Sequence, residues 1–230
     1  SARYASTKPS TWIHNMEYPI RINKYLRDKG LASRREADKL VENRLVFING
    51  KRAENGMAVN ESDKIEVRGK LKENRYLAYY KPKGLATQDL VGKKSVISEW
   101  KEEGLYPIGR LDKESEGLLL LTNDGRFARE VLSESPKYEK EYVVTVKEPL
   151  RAGIPAIFKS GMQTKNLGKL LPAKAEIINR TTLRVVLNEG RRHQIRIMLS
   201  ELRYTITTLK RVRIGDINLG NLKSSQTRPF

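Results

Sequence analysis

The sequence contains no cysteine, and this absence excludes several kinds of chemistry at once. Disulfide bonds, thiolate zinc sites, iron–sulfur clusters and cysteine nucleophiles all need that side chain. Histidine is scarce as well, because the 230 residues include two histidines, His14 and His193, which lie far apart in sequence. A metal site would have to consist of carboxylates, and the sequence shows no such cluster. We therefore expect a protein that works without a metal ion or another cofactor.

Acidic residues are few beside the basic ones, and long apolar runs are missing. The 45 Lys and Arg residues outnumber the 27 Asp and Glu residues, which gives a formal net charge of +18. This excess favours a polyanionic partner, because basic side chains displace condensed counterions from phosphates. A ribosomal protein or a protein of acidic membrane surfaces would show the same excess. The sequence has no apolar run of membrane-spanning length and no secretory signal at its start, so we expect a bacterial cytoplasmic protein, with organellar targeting left open.

Composition and turn signals divide the chain into three regions. Residues 1–18 form a Ser/Thr-rich basic tail, which we expect to be disordered or to be the remnant of a transit peptide. Residues 19–70 form a compact basic unit, and residues 71–230 form a larger one. The larger unit has several strand-like segments and few helical ones, which predicts an α+β fold rather than a doubly wound sheet.

Local patterns predict the main elements of both units. In the small unit, a first helix should end at Gly30, Ser33 and Glu36 have the spacing of a capping box, and Asn49-Gly50 predicts a hairpin turn. In the large unit, the continuous apolar run Leu118–Leu121 predicts a strand buried on both faces. Helical spacing is found at Ile195, Met198, Leu199 and Leu202, and further strands are predicted at Tyr76–Tyr80, Tyr142–Val146 and Leu183–Leu187.

A long segment of the small unit matches a known RNA-binding module. The segment is RINKYLRDKGLASRREADKLVENRLVFINGKRA, with Val59 and Asp63-Lys64-Ile65 at the expected distance, and it resembles the S4 RNA-binding domain. Arg34 and Arg35 follow the predicted cap Ser33, where backbone N–H groups and the helix dipole attract a phosphate; a solvated basic helix face is the alternative. The resemblance implies that the unit docks on an RNA backbone, with expected contacts at Lys24, Arg34, Arg35, Lys51 and Arg52.

The large unit carries a second and sharper pattern. Residues 109–125 read GRLDKESEGLLLLTNDG, and they are accompanied by YKPKG at 80–84, KEY at 140–142, EGRRHQIRIM at 189–198 and LKRVRIG at 209–215. Together these segments resemble the pseudouridine synthases of the RsuA/RluB/RluF type, which often carry an N-terminal S4 domain. The resemblance implies an S4 domain of two helices and short strands, followed by a mixed, mainly antiparallel sheet.

Asp112 is the residue to which the resemblance assigns the reaction. Pseudouridylation breaks the C1′–N1 bond, turns the base and joins C5 to C1′, so a carboxylate must attack C1′ or take the proton from C2′. Asp112 lies in a loop just before the predicted strand Leu118–Leu121, and loops on a rigid scaffold commonly carry catalytic groups. An isolated Asp is ordinarily a turn residue, but within this motif we expect a catalytic one.

The resemblance also assigns supporting roles around Asp112. It pairs Arg196 with the carboxylate, which keeps it ionised. It stacks the flipped uridine on Tyr142, and Arg110 helps to displace the base. The alternatives are a solvated helical arginine for Arg196 and an ordinary core tyrosine for Tyr142.

Other residues of these motifs are assigned to the pocket or to RNA. Ile195 and Leu199 are expected to form an apolar wall of the pocket or to belong to the core. We interpret His193 as RNA-facing or structural rather than as an acid–base catalyst. Relatives usually have Gly where Arg203 stands, so we expect the preceding helix to end differently here. Further RNA contacts are expected at Lys81, Lys83, Arg191 and Arg192.

The patterns together predict an enzyme that isomerises a specific uridine in ribosomal RNA. The Gln-Ile-Arg-Ile-Met form and the S4 match favour large-subunit rRNA slightly over small-subunit rRNA. We expect a monomer without a cofactor, an obligate protein partner or a membrane. The main alternative is a non-catalytic S4-type RNA-binding factor of ribosome assembly. A glycosylase that releases free uracil is another, whereas glycosidase carboxylates among Asp112, Glu114 and Glu116 fit less well with two Trp and a charge of +18.

Overall fold

The computed structural model describes residues 17–69, 73–88, 93–133 and 136–230, apart from the side chains of Arg34, Arg35 and Pro136. The chain divides into two compact units, and the division falls between Lys72 and Glu73. Most of the predicted tail, residues 1–16, and residues 70–72 at the boundary between the units lie outside the described residues. Within the described ranges, no helix is both long enough and apolar enough to cross a bilayer.

The first unit packs two helices against short strands. Strand β2 pairs antiparallel with β3 and β5, and β1 pairs antiparallel with β4. An apolar core that includes Ile22, Leu26, Ala37, Val41 and Val46 holds these pieces together. The elements are β1 (Ile20–Arg21), α1 (Ile22–Asp28), α2 (Arg34–Glu42), β2 (Val46–Ile48), β3 (Lys51–Arg52), β4 (Ala58–Val59) and β5 (Ile65–Val67).

The predicted local signals of this unit are confirmed. The Ser33 hydroxyl accepts from the N–H of Glu36, and the Glu36 carboxylate accepts from the N–H of Ser33, so the capping box is complete. Helix α1 ends just before Gly30. Asn49 and Gly50 have φ of +50° and +78°, which a two-residue turn between β2 and β3 requires.

The second unit is built on a nine-stranded sheet. Its main order is β12-β13-β9-β14-β8-β6-β16, with β15 beside β14 and β7 beside β8. The named neighbours are antiparallel except β14 and β8, which run parallel, so the predicted α+β class with a mixed, mainly antiparallel sheet is confirmed. The strands are β6 (Tyr76–Lys81), β7 (Tyr106–Ile108), β8 (Glu116–Thr122), β9 (Lys140–Val146), β10 (Gln163–Thr164), β11 (Gly168–Lys169), β12 (Lys174–Asn179), β13 (Thr182–Leu187), β14 (Ile206–Ile214), β15 (Ile217–Asn218) and β16 (Thr227–Pro229).

Helices cover this sheet. They are α3 (Val96–Trp100), α4 (Gly125–Leu132), α5 (Ile154–Lys159) and α6 (Gln194–Glu201), with a 3₁₀ turn at Pro136–Tyr138. One apolar cluster joins α5 and α6 to β9, β13 and β14, and it contains Ile195, Met198 and Leu199 of α6. The predicted amphipathic helix is therefore confirmed, and its apolar face fixes α6 on the sheet.

Strand β8 is buried on both faces, as its apolar run predicts. Leu118 and Leu120 belong to the cluster that includes residues of β6 and α4, whereas Leu119 and Leu121 belong to a different cluster, which includes Val96 of α3. All four leucines have no exposed surface. A strand covered on both faces needs apolar residues at every position rather than at alternate ones. The loop that precedes β8 therefore rests on a well-packed strand.

Helix α6 ends in a Schellman motif, and Arg203 occupies the position that usually needs glycine. Its N–H donates to the carbonyl of Ser200 at 2.9 Å, and the N–H of Tyr204 donates to the carbonyl of Leu199 at 2.8 Å. Arg203 has φ of +67°. The expectation that the helix ends differently is therefore wrong, because arginine itself adopts the left-handed conformation here.

Candidate active site

The loop between β7 and β8 carries Asp112 and is anchored on both sides of it. Leu111 is buried, and the hydroxyl of Thr87 donates to its carbonyl at 2.6 Å and accepts from its N–H at 3.1 Å. On the other side, the N–H of Ser115 donates to the carbonyl of Asp112 at 3.0 Å and closes a turn. The backbone of Asp112 is thus fixed, while its side chain keeps 25% of its surface exposed.

Lys81 supports this loop from a fully buried position. Burial lowers the pKa of Lys81 to about 8, although the negative charge of Asp112 acts in the opposite direction. The prediction that Lys81 contacts RNA is wrong for this structure, because the ammonium group has no exposed surface and is used inside the protein. It donates at 2.8, 2.7 and 3.4 Å, respectively, to the backbone carbonyls of Pro82, Leu85 and Lys113.

Arg211 on β14 supports the same loop from the parallel junction with β8. The side chain is buried, and its guanidinium donates to the carbonyl of Leu118 at 2.7 Å and to that of Arg110 at 3.4 Å. Gly117 lies opposite Arg211 in the register, with φ of +103°. A Cβ atom there would lie 2.3 Å from the carbonyl oxygen of Arg211, so only glycine lets β8 and β14 approach so closely.

The N-terminal turn of α6 lies beside Asp112. Nε of Arg196 is 3.4 Å from Oδ2 of Asp112, and its Nη2 donates to the hydroxyl of Ser115 at 2.7 Å. Nδ1 of His193 lies 3.1 Å from the same Oδ2. The structure thus brings together Asp112 and Arg196, which the motif resemblance pairs. It adds His193, which we interpreted from sequence as RNA-facing or structural.

Tyr142 approaches this region from β9. Cα registers place Tyr142, Arg211 and Gly117 in one row across β9, β14 and β8. Since neighbouring strands lie about 4.8 Å apart, the Cα atoms of Tyr142 and Gly117 are roughly 10 Å apart. The half-buried ring packs against the apolar cluster that contains Ile195 and Leu199, both of which are buried core residues. Among the described side chains, Tyr142 makes no hydrogen bond or ion pair with Asp112.

Glu189 organises the segment that leads into α6, and sequence analysis did not single it out. Its buried carboxylate accepts from the N–H of Leu171 at 2.9 Å and from the Gln194 amide at 2.8 Å. It also accepts from Nε of Arg191 at 3.0 Å, while Nη1 of Arg191 donates to the carbonyl of Leu167 at 2.6 Å. We predicted that Arg191 contacts RNA. In the structure, part of its guanidinium instead holds this segment in place. No local pattern marks a glutamate as buried, so the sequence offered no signal for it.

Some of the other predicted RNA contacts have side chains that the structure describes, and some do not. The side chains of Arg34 and Arg35 lie outside the described residues, although α2 starts at Arg34 with Ser33 as its cap. Exposed positions are found for Lys24, Lys51, Arg52, Lys83 and Arg192. Arg110, to which the resemblance assigns displacement of the base, is exposed as well. In the described part of the chain, no group of three or more His, Asp or Glu residues could hold a metal ion.

Comparisons with known proteins match both units. The family model for RNA pseudouridylate synthase matches residues 75–201, more than half of the chain, and the S4 domain model matches residues 20–65. The dual-specificity RNA pseudouridine synthase RluF of Salmonella typhi is 35% identical over 90% of this chain and 74% of that protein. The ribosomal large subunit pseudouridine synthase B of Bacillus subtilis is 37% identical over 90% of this chain and 91% of that protein.

A solved structure extends the match to the fold. A crystal structure of a pseudouridylate synthase is 27% identical in sequence to this chain. The match covers 92% of this chain and 96% of that chain, with a TM-score of 0.66. The fold and the matches define an RNA-modifying isomerase with an S4 domain. The chain belongs to the RNA pseudouridylate synthase family, and the predicted resemblance to the RsuA/RluB/RluF type is confirmed.

Proposed function

We propose that this protein converts a specific uridine of ribosomal RNA to pseudouridine, with large-subunit rRNA as the favoured substrate. The observation that carries the proposal is the geometry of Asp112, a partly exposed carboxylate on a doubly anchored loop with Arg196 3.4 Å away. The loop lies inside the segment that matches the RNA pseudouridylate synthase model. The name of the Bacillus subtilis relative supports large-subunit rRNA, and the charge of +18 suits an RNA substrate.

Asp112 provides the carboxylate oxygen that the reaction needs. It acts either as a nucleophile at C1′ or as a base at C2′, and both routes break the C1′–N1 bond. The detached base turns, C5 bonds to C1′, C5 loses its proton and N1 gains one. Because atoms and charge balance within the nucleotide and the solvent, the reaction needs no co-reactant or cofactor.

Arg196 provides a cationic partner for the Asp112 carboxylate. Arg196 lies 3.4 Å from its Oδ2 and is itself held by Ser115, so the positive charge has a fixed position. A preorganised charge stabilises a carboxylate without the reorganisation that water would need. Tyr142 provides an aromatic face for the flipped base, and the exposed Arg110 next to Asp112 displaces that base from its stack.

The first unit and the exposed basic residues hold the RNA while the target uridine enters the site. Their phosphate contacts provide affinity and orientation rather than sequence recognition. We propose that the protein acts as a monomer. We also propose that it works in a bacterial cytoplasm, and the bacterial origin of the relatives named above supports this location.

The test uses transcripts of large-subunit and small-subunit rRNA that are labelled with tritium at C5 of uridine. The purified protein should release tritium from the large-subunit transcript, and mapping should find one pseudouridine there. Release from the small-subunit transcript alone would contradict the choice of substrate. Free uracil would mark a glycosylase, and binding of both transcripts without tritium release would mark a non-catalytic RNA-binding factor.

A further inference from the structure

The two oxygens of the Asp112 carboxylate have different surroundings. Oδ2 lies 3.1 Å from Nδ1 of His193 and 3.4 Å from Nε of Arg196. These are the shortest contacts of the Asp112 carboxylate with the two side chains, and no hydrogen bond to Oδ1 is found among the described residues. An oxygen that faces two nitrogen donors is less available as a nucleophile or base than an oxygen that faces none. The carboxylate is thus oriented so that Oδ1 is the more reactive atom.

His193 has an unusual backbone conformation that accompanies this contact. It is the residue before the first turn of α6, with φ of +56° and ψ of +21°. The left-handed region is strained for a residue other than glycine. Its side chain does not cap α6, although the N-cap position commonly provides such a bond. The imidazole instead lies next to Asp112, with 42% of its surface exposed.

This combination distinguishes His193 from a residue that only starts a helix. A residue with a purely structural role here would be expected to cap the helix or to be glycine, which takes positive φ without strain. Strained backbone conformations of this kind are concentrated at functional sites, where the neighbouring structure enforces them. At this position, that structure includes the hydrogen bonds of the buried Glu189 and Gln194 with Arg191, which fix the chain just before α6.

We infer that His193 is a positioning residue for Asp112. Its Nδ1 and Nε of Arg196 together hold Oδ2, and Oδ1 is the oxygen that reacts with the ribose of the target uridine. The inference rests on the proposed function and adds a residue to it. His193 need not exchange a proton with the substrate, because its role is to fix the carboxylate.

The test compares two substitutions that both accept positive φ. His193→Gly removes the side chain and relieves the backbone, whereas His193→Asn keeps a nitrogen donor near the place of Nδ1. A contact to a charged group is worth enough to change a rate by about tenfold to a hundredfold. We expect His193→Gly to lower the single-turnover rate by such a factor while RNA affinity stays within about twofold. His193→Asn should recover at least part of the rate.

Arg203→Gly provides the control, because Arg203 is the left-handed residue at the other end of the same helix. It should keep the wild-type rate. A wild-type rate in His193→Gly would overturn the inference, and so would a His193→Asn variant as slow as His193→Gly. Loss of RNA affinity and a lower unfolding midpoint in both His193 variants would overturn it too, since they would mark a structural role. If the wild-type protein forms no pseudouridine, the proposed function itself fails.

Discussion

Thr87 is the residue that fixes the backbone next to Asp112. Its buried hydroxyl serves both the carbonyl and the N–H of Leu111, at 2.6 and 3.1 Å. Thr87→Val keeps the size of the side chain but leaves both backbone groups without this partner, which should lower the free energy of unfolding by about 1–3 kcal/mol. The single-turnover rate should fall as well, because Asp112 would be less well positioned. Denaturant titration and rapid-quench kinetics measure the two effects.

Thr207 provides a matched control for this substitution. Its exposed hydroxyl donates to the carbonyl of Thr145 on β9 at 3.1 Å. Thr207→Val should change the free energy of unfolding by less than about 0.5 kcal/mol and should leave the rate unchanged. Equal losses in the two variants would show that the Thr87 hydroxyl does not fix the loop.

Lys81 should make stability depend on pH in the alkaline range. Burial lowers its pKa in the folded protein from 10.5 to about 8. Between these values the unfolded chain binds more protons than the folded one, so the contribution of Lys81 to stability rises with pH. This contribution is fully present above about pH 10.5 and is lost as the pH falls through about 8.

The comparison with Lys81→Met isolates this contribution from those of other titrating groups. The free energy of unfolding of the wild-type protein, minus that of Lys81→Met, should increase steadily from pH 8 to pH 10. A difference that stays constant over this range would contradict the lowered pKa.

The sequence motifs predicted which residues meet when the motifs themselves contain those residues. They did not predict which side chains are buried in the folded protein. The motif resemblance pairs Asp112 with Arg196, and the structure places them 3.4 Å apart. The position of Lys81 in a Lys-Pro-Lys-Gly turn suggested an exposed side chain, yet carbonyls from separate loops meet around its ammonium group. The contact of His193 with Asp112 also depends on tertiary packing, which no local spacing encodes.

At the scale of elements, the C-terminal end of α6 offers a test of backbone strain. Arg203 takes φ of +67° inside a Schellman motif. Arg203→Gly should raise the free energy of unfolding by about 0.5–1 kcal/mol, because glycine removes the left-handed penalty and loses part of that gain through the entropy of the unfolded chain. Thermal and denaturant unfolding measure the change.

Ser200 provides the matched control in the same helix. It is exposed and lies in the last full turn of α6, where the backbone is helical. Ser200→Gly should lower the free energy of unfolding by several tenths of a kcal/mol, since glycine is a poor helix former. The opposite signs of the two effects are the signature of the Schellman motif, and a loss in both variants would argue against it.

Elements with a strong local signal were predictable, and their partners were not. The run Leu118–Leu121 predicted β8, and the Ser33–Glu36 spacing predicted the start of α2. No pattern in the sequence indicated that β14 would lie parallel to β8, because strand pairing depends on which apolar faces meet in the assembled sheet. The place of the Asp112 loop at this parallel junction therefore became visible only in the structure.

At the scale of the whole molecule, the charge of +18 should appear as a steep salt dependence of RNA binding. Each phosphate contact contributes a slope of roughly 0.7–0.9 in a plot of log affinity against log salt. The double substitution Arg34→Ala and Arg35→Ala should therefore reduce this slope by one to two units, if both residues contact phosphates at the N-terminus of α2. Filter binding at several salt concentrations measures it.

Lys64 and Arg68 provide a control with the same change in net charge. Both lie in the first unit and already pair with Glu66, at 3.0 and 3.7 Å. The double substitution Lys64→Ala and Arg68→Ala should leave the slope nearly unchanged. Similar reductions in both double variants would mean that net charge, rather than contacts at α2, determines the binding.

The catalytic role of Asp112 is the central claim, and Asp112→Asn tests it most directly. The substitution keeps the shape of the side chain but removes its negative charge and its reactive oxygen, while Asp216→Asn makes the same change at an exposed turn. RNA affinity and single-turnover pseudouridine formation are measured on the same preparations. We predict that Asp112→Asn binds RNA with near-normal affinity, because phosphate contacts come from the basic surface, and forms no pseudouridine, whereas Asp216→Asn matches the wild-type protein. Pseudouridine formation by Asp112→Asn at a rate near that of the wild-type protein would contradict the account.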